Sequence, residues 1–193
     1  MKKLLLLTVL FTAVSASGQK WTKNFDFVDQ CICGLSLVGK NQKVCYVDNA
    51  GNIIVPLMYD EGSTFKEGYA AVRKGEAWHY IDSTGKNITE PVYSDAQSFS
   101  DGLAAVMKDG LYGYINTSGK LVIGYQFINA RAFSEGLAPF ANKKNMWGFI
   151  DRTGKVIIEP QYDFADSFSA GEARIMKGDK LYYIDKNNKM LHE

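Results

Sequence analysis

Tyr46, Tyr80, Tyr114, Phe149 and Tyr183 stand 34, 34, 35 and 34 residues apart. Each is followed by Val or Ile and then by Asp or Asn, as in Tyr80-Ile81-Asp82 and Phe149-Ile150-Asp151. A fixed period of this length predicts tandem units that bury their apolar faces against one another, because one such unit cannot enclose a core alone. The period also restricts functional inference. Most apolar and glycine positions recur, so the fold itself accounts for them.

The unit that starts at Gly136 shows how the period is built. Residues 137–140 predict a strand, 142–145 a turn, and 147–151 a second strand with alternating side chains. Arg152-Thr153-Gly154-Lys155 predicts a turn, and residues 156–158 a third strand. The same parse fits units starting at Gly34, Gly68, Gly102 and Gly171. Asp109-Gly110 is a strong hairpin signal, since a type I′ turn needs positive φ at both central residues. The expected fold is all-β, with five three-stranded meanders over residues 34–193 and a lead-in over 19–33.

Linkers of about a dozen residues separate the meanders. They carry aromatics at fixed offsets: Tyr59, Tyr93, Phe127 and Tyr162, then Phe65, Phe99, Phe133 and Phe168. A solvated loop needs no ring at a fixed offset, so these rings are expected to pack between successive meanders. Each contributes roughly 2–3 kcal/mol of transfer free energy when buried. The linker length suits a return from an outer strand to the next inner one. Five short meanders fit a propeller-like array or an open β-solenoid.

Trp147-Gly148-Phe149-Ile150-Asp151, Gly154-Lys155 and the string Phe168-Ser169-x-Gly171 resemble the WG-repeat family of bacterial proteins. The resemblance spans residues 31–191. The Trp-Gly pair itself is intact only at 147–148; the other copies read Val44-Cys45, Trp78-His79, Tyr112-Gly113 and Leu181-Tyr182. The resemblance implies an all-β repeat protein, usually without assigned enzymatic activity. A shorter likeness links the aromatic-Ile-Asp-x-x-Gly string to hairpin repeats of choline-binding cell-wall modules.

Residues 1–18 have the layout of a secretory signal peptide. Lys2 and Lys3 precede an apolar run, residues 4–14, broken only by Thr8 and Thr12, and Ser15, Ala16, Ser17 and Gly18 follow. The run is too short for a bilayer-spanning helix of about 20 residues. Cleavage is expected after Ala16 or after Gly18, which places the product in the periplasm or outside the cell. No later segment is apolar enough to span a bilayer.

Loss of Lys2 and Lys3 changes the formal charge from +1 to −1. The balance, with both signs interspersed, argues against a nucleic-acid partner. Three cysteines remain: Cys31, Cys33 and Cys45. Cys31 and Cys33 point to opposite faces of an extended chain, so the candidate disulfide is Cys45 with one or other of them, and the spacing leaves open whether any pair forms. Metal binding is not expected, because the Cys-x-Cys lacks a fourth ligand and the only histidines are His79 and His192. No cofactor-binding motif is present.

Catalysis requires an acid, base or nucleophile in a set geometry. The recurrent Asp48, Asp82, Asp151 and Asp185 precede turns, where Asp accepts backbone N–H bonds. His79 stands where other units carry Gly113 and Gly148, and reads as an exposed or partly packed strand residue. Trp78, Tyr112 and Trp147 recur at one position and form the candidate binding row, able to stack on sugar rings or a peptide. The functional expectation is a non-enzymatic envelope module that binds protein or glycan. The alternatives are a periplasmic hydrolase using His79 with a repeat Asp, and a structural spacer.

Overall fold

The computed structural model describes residues 20–193. The signal segment and both cleavage positions lie outside the described residues. Five antiparallel sheets follow one another along the chain. Sheet 1 holds Phe27–Val28, Leu35–Lys40, Lys43–Asp48 and Ile53–Tyr59. Sheet 2 holds Glu61–Gly62, Tyr69–Lys74 and Ala77–Asp82. Sheet 3 holds Asp95–Ala96, Leu103–Lys108, Leu111–Asn116 and Leu121–Phe127. Sheet 4 holds Asn129–Ala130, Leu137–Ala141, Trp147–Asp151 and Val156–Tyr162. Sheet 5 holds Phe164–Ala165, Ala173–Lys177, Lys180–Ile184 and Met190–His192. A 3-10 turn, Lys20–Asn24, is the one helical element among the described residues.

Two features differ from the sequence expectation. The meanders have four strands in every sheet but the second, because the linker supplies a two-residue first strand. The linker also does not return across the sheet. One residue separates Tyr59 from Glu61, Phe127 from Asn129 and Tyr162 from Phe164, so the chain crosses directly from each fourth strand to the next first strand. The remainder of the linker then leads to the second strand. The lead-in likewise belongs to the array, since Phe27 and Val28 pair with Gly39 and Val38.

The fourth strand runs to seven residues in sheets 1, 3 and 4, and it includes Pro56 in sheet 1 and Pro160 in sheet 4. A proline inside a strand is tolerated at a bulge, where no ladder N–H is needed. Phe149 pairs with Ile158 while Trp147 pairs with Tyr162, so residues 159–161 bulge opposite Gly148. The same irregularity places 56–58 opposite Cys45 and 124–126 opposite Gly113.

Alternation along each third strand sends side chains to two faces. Tyr46, Tyr80, Tyr114 and Phe149 face the following unit; their rings lie 4.8–5.0 Å from Phe65, Phe99, Phe133 and Phe168. All eight rings are buried. Ile81, Ile115, Ile150 and Ile184 face the preceding unit and join the same clusters. The core is therefore a set of slabs between sheets, as the linker aromatics led us to expect. At the start, Trp21, Phe25 and Leu57 cover Val38, Cys45 and Val47. Third and fourth strands of one sheet lie over first and second strands of the next. This staggered stack is propeller-like, and it does not close.

Hydrogen bonds fasten the slabs at the same period. The phenol O–H groups of Tyr46, Tyr80 and Tyr114 donate to the carbonyls of Ser63, Gln97 and Arg131 at 2.6, 2.5 and 2.8 Å. Each such bond contributes about 1 kcal/mol net. Phe149 lacks the hydroxyl and relies on ring packing alone. Each second strand is entered through a two-residue turn with both φ positive, such as Asp101 at 52° and Gly102 at 76°. That is the backbone of a type I′ turn. The first turn residue also reaches the next unit: carboxylates of Glu67, Asp101 and Glu135 accept from the N–H of Gly102, Gly136 and Gly171.

Candidate functional site

His79 sits where the repeat is least regular. Its side chain faces sheet 1, and the residue is 4 % exposed rather than surface-lying. In sheets 3 and 4 the bulged strand lies so close that this position must be glycine. A Cβ on Gly148 would come within 2.4 Å of the Ile158 carbonyl oxygen, and one on Gly113 within 2.6 Å of that of Ile123. Cys45 carries a Cβ and one sulfur, and these fit beneath Leu57. An imidazole is larger. Opposite His79, residues 87–93 form no continuous strand and touch the third strand through isolated bridges, Ile81–Asn87 and Trp78–Tyr93. The Tyr80 N–H is satisfied by Thr89 Oγ1 at 3.1 Å.

A cleft of about 460 Å³ lies beside this segment, between sheets 1 and 2. Pro56, Met58 and Tyr59 form one wall, and Pro91 with Asn87 the other. Lys74 and His79 lie between them. The imidazole lies 5.6 Å from the Tyr59 ring. Burial holds its pKa below the usual histidine value, partly opposed by a hydrogen bond with Asn87 and by the charge of Glu90. Its Nδ1 is buried and has no hydrogen-bond partner.

The candidate aromatic row is not a ladder of exposed rings. Trp147 is 5 % exposed. The Arg131 guanidinium covers it at 5.2 Å and Phe164 packs at 6.1 Å. Asp166 holds Arg131 at 3.6 Å and Arg174 at 2.6 Å, which fixes that cover. Trp78 and Tyr112 are half-buried. The Tyr112 hydroxyl donates to Asp95 at 2.6 Å, and Arg73 lies 6.0 Å from the Trp78 ring. The three disulfide candidates are unpaired: Cys31 and Cys33 are exposed free thiols and Cys45 is a buried one. Cys45 points into the slab capped by Trp21 and Phe25, whereas Cys31 contacts Asn49 at 3.0 Å.

The repeated acids build turns. Asp82 Oδ1 accepts from the N–H of Thr84 and Lys86, and Asp151 Oδ1 from the N–H of Thr153 and Lys155. The threonine hydroxyls add a further bond each and hold both carboxyls below their ordinary pKa. Among the described residues, no group of three or more His, Cys, Asp and Glu is placed to hold a metal ion. No helix among them is long and apolar enough to cross a membrane.

One recurrent feature was missed in the sequence. Ile53-Ile54, Leu121-Val122, Val156-Ile157 and Met190-Leu191 open the fourth strands and are 37–56 % exposed. Only the third residue, Val55, Ile123 or Ile158, enters a slab. Each fourth strand is also the edge of its sheet, with one side unpaired.

Comparison with known proteins agrees with this geometry. The WG containing repeat matches residues 46–78, 80–112, 112–145 and 147–180. No curated protein sequence matches the chain. Among solved structures, the computationally designed Ika8 protein is similar with a TM-score of 0.56 and 12% identity, over 86% of this chain and 60% of that one. Hsv2 of Kluyveromyces lactis is similar with a TM-score of 0.55 and 11% identity, over 82% and 59%. A eukaryotic initiation factor gives 0.56 and 10%, over 84% and 52%. The chain thus spans between half and six tenths of these proteins, and the likeness is one of fold.

Proposed function

Because the chain belongs to the WG containing repeat family, we propose that it is a non-enzymatic interaction scaffold of the bacterial envelope, exported by its N-terminal segment. Its partner is a protein that presents an extended apolar segment. The observation that carries this reading is the exposed pair on the fourth strands of sheets 1, 3, 4 and 5. Buried side chains stabilise the array, and the repeated acids form its turns. The exposed pairs do neither, although each leaves apolar area in water at about 25 cal/mol per Å². They sit on edge strands whose free N–H and C=O groups suit strand addition by a partner. The aromatic row supports a glycan ladder poorly, because Trp147 is covered.

The test is site-specific photocrosslinking in envelope extract. A photoreactive residue at Val122 or Ile157 is expected to give discrete protein adducts, and one at exposed Lys144 is not. Replacing Leu121, Val122, Val156 and Ile157 together with serine should abolish adducts formed from position 54 while the β-sheet circular dichroism persists. Equal labelling from all positions would contradict the reading.

A further inference from the structure

We propose that the cleft at His79 is a second binding site, for a hydroxyl-bearing ring of monosaccharide size. The site is independent of the fourth-strand pairs. It is specific to one unit. Units 3 and 4 have glycine at the equivalent position and a bulged strand pressed over it, so they have no room for such a cleft. A repeat that departs from its own pattern at a single buried polar residue marks a place where the fold alone does not explain the sequence.

The lining selects the ligand class. Its volume, about 460 Å³, falls in the range of about 300–1,000 Å³ common to small-ligand sites. Pro56, Met58 and Pro91 offer apolar surface, which suits the C–H faces of a sugar ring. Lys74 and Asn87 offer donors, and both are exposed at the rim. Burial favours the neutral imidazole. In the neutral tautomer that carries its proton on Nε2, the unpaired Nδ1 is an acceptor that lacks a donor. A hydroxyl donates to Nδ1 and accepts from Lys74 or Asn87 at once. A hydrocarbon leaves Nδ1 unpaired, and so does a carboxylate, which also meets the charge of Glu90. Seating a hydroxyl on Nδ1 requires residues 87–93 to give way, and that segment lacks the continuous ladder of its counterparts.

The experiment is an NMR titration of the isotope-labelled chain with glucose, galactose and N-acetylglucosamine, each to tens of millimolar, with acetate and buffer alone as references. At least one sugar is expected to shift the His79 ring nitrogens and the Asn87 side-chain amide saturably, with a millimolar Kd. His79→Phe, which keeps the bulk and removes the acceptor, should weaken binding at least tenfold. Lys74→Ala, at an exposed position, should weaken it severalfold without disturbing the fold. The proposal fails if no sugar gives a saturable shift at His79, if His79→Phe binds as well as the parent, or if acetate reproduces the shifts.

Discussion

Replacing Phe133 with alanine is expected to destabilise the protein by about 3–5 kcal/mol, the usual cost of removing a fully buried phenylalanine. Phe133 is 0 % exposed, and its ring lies 4.9 Å from Tyr114. It belongs to the slab shared by sheets 3 and 4, with Phe127, Phe140 and Ile150. The side chain comes from a linker, yet its loss opens a cavity between two sheets. Thermal denaturation should show a fall of roughly 10 °C, given about 2–4 °C per kcal/mol for a domain of this size. A change within about 0.5 kcal/mol would place the linker rings on the surface instead.

Gly148→Ala is expected to be the most damaging single-methyl addition, at about 2–3 kcal/mol. The new Cβ would meet the Ile158 carbonyl oxygen at 2.4 Å and the Pro160 nitrogen at 2.8 Å. Both are backbone atoms, so no rotamer change relieves the contact. Val156–Tyr162 must move outward, and Ile158 and Tyr162 then leave their slab. Chemical denaturation measures the loss. Gly124→Ala is the control, because a Cβ there meets nothing within 4 Å. Similar stability losses in the two variants would show that the bulge is not clamped on Gly148.

Much of this arrangement was legible in the sequence. The period, the hairpins, the acid-based turns and the inter-sheet position of Phe65, Phe99, Phe133 and Phe168 all follow from spacing and residue type. The short first strand of each sheet was not legible, because two residues such as Phe164–Ala165 are too few to show alternation. The bulge over Pro160 was hidden for a different reason: proline reads as a strand breaker until the irregular register opposite Gly148 is known. The burial of Trp147 depends on Arg131, which comes from the preceding linker, and on Asp166, which comes from the following one. Neither contact leaves a local signal. His79 in a glycine position was visible, but its consequence depends on how closely the opposing strand lies.

The cleft beside His79 is expected to depend on the imidazole, which stands where sheets 3 and 4 have glycine. Hydrogen exchange on His79→Gly tests it most directly. With the side chain removed, residues 87–93 should settle onto the third strand as their counterparts do in sheets 3 and 4. Amide protection between Ile88 and Tyr93 is then expected to rise to the level seen between Ile157 and Tyr162. Unchanged exchange in that segment would mean that something other than His79 holds the cleft open, and the account would be wrong.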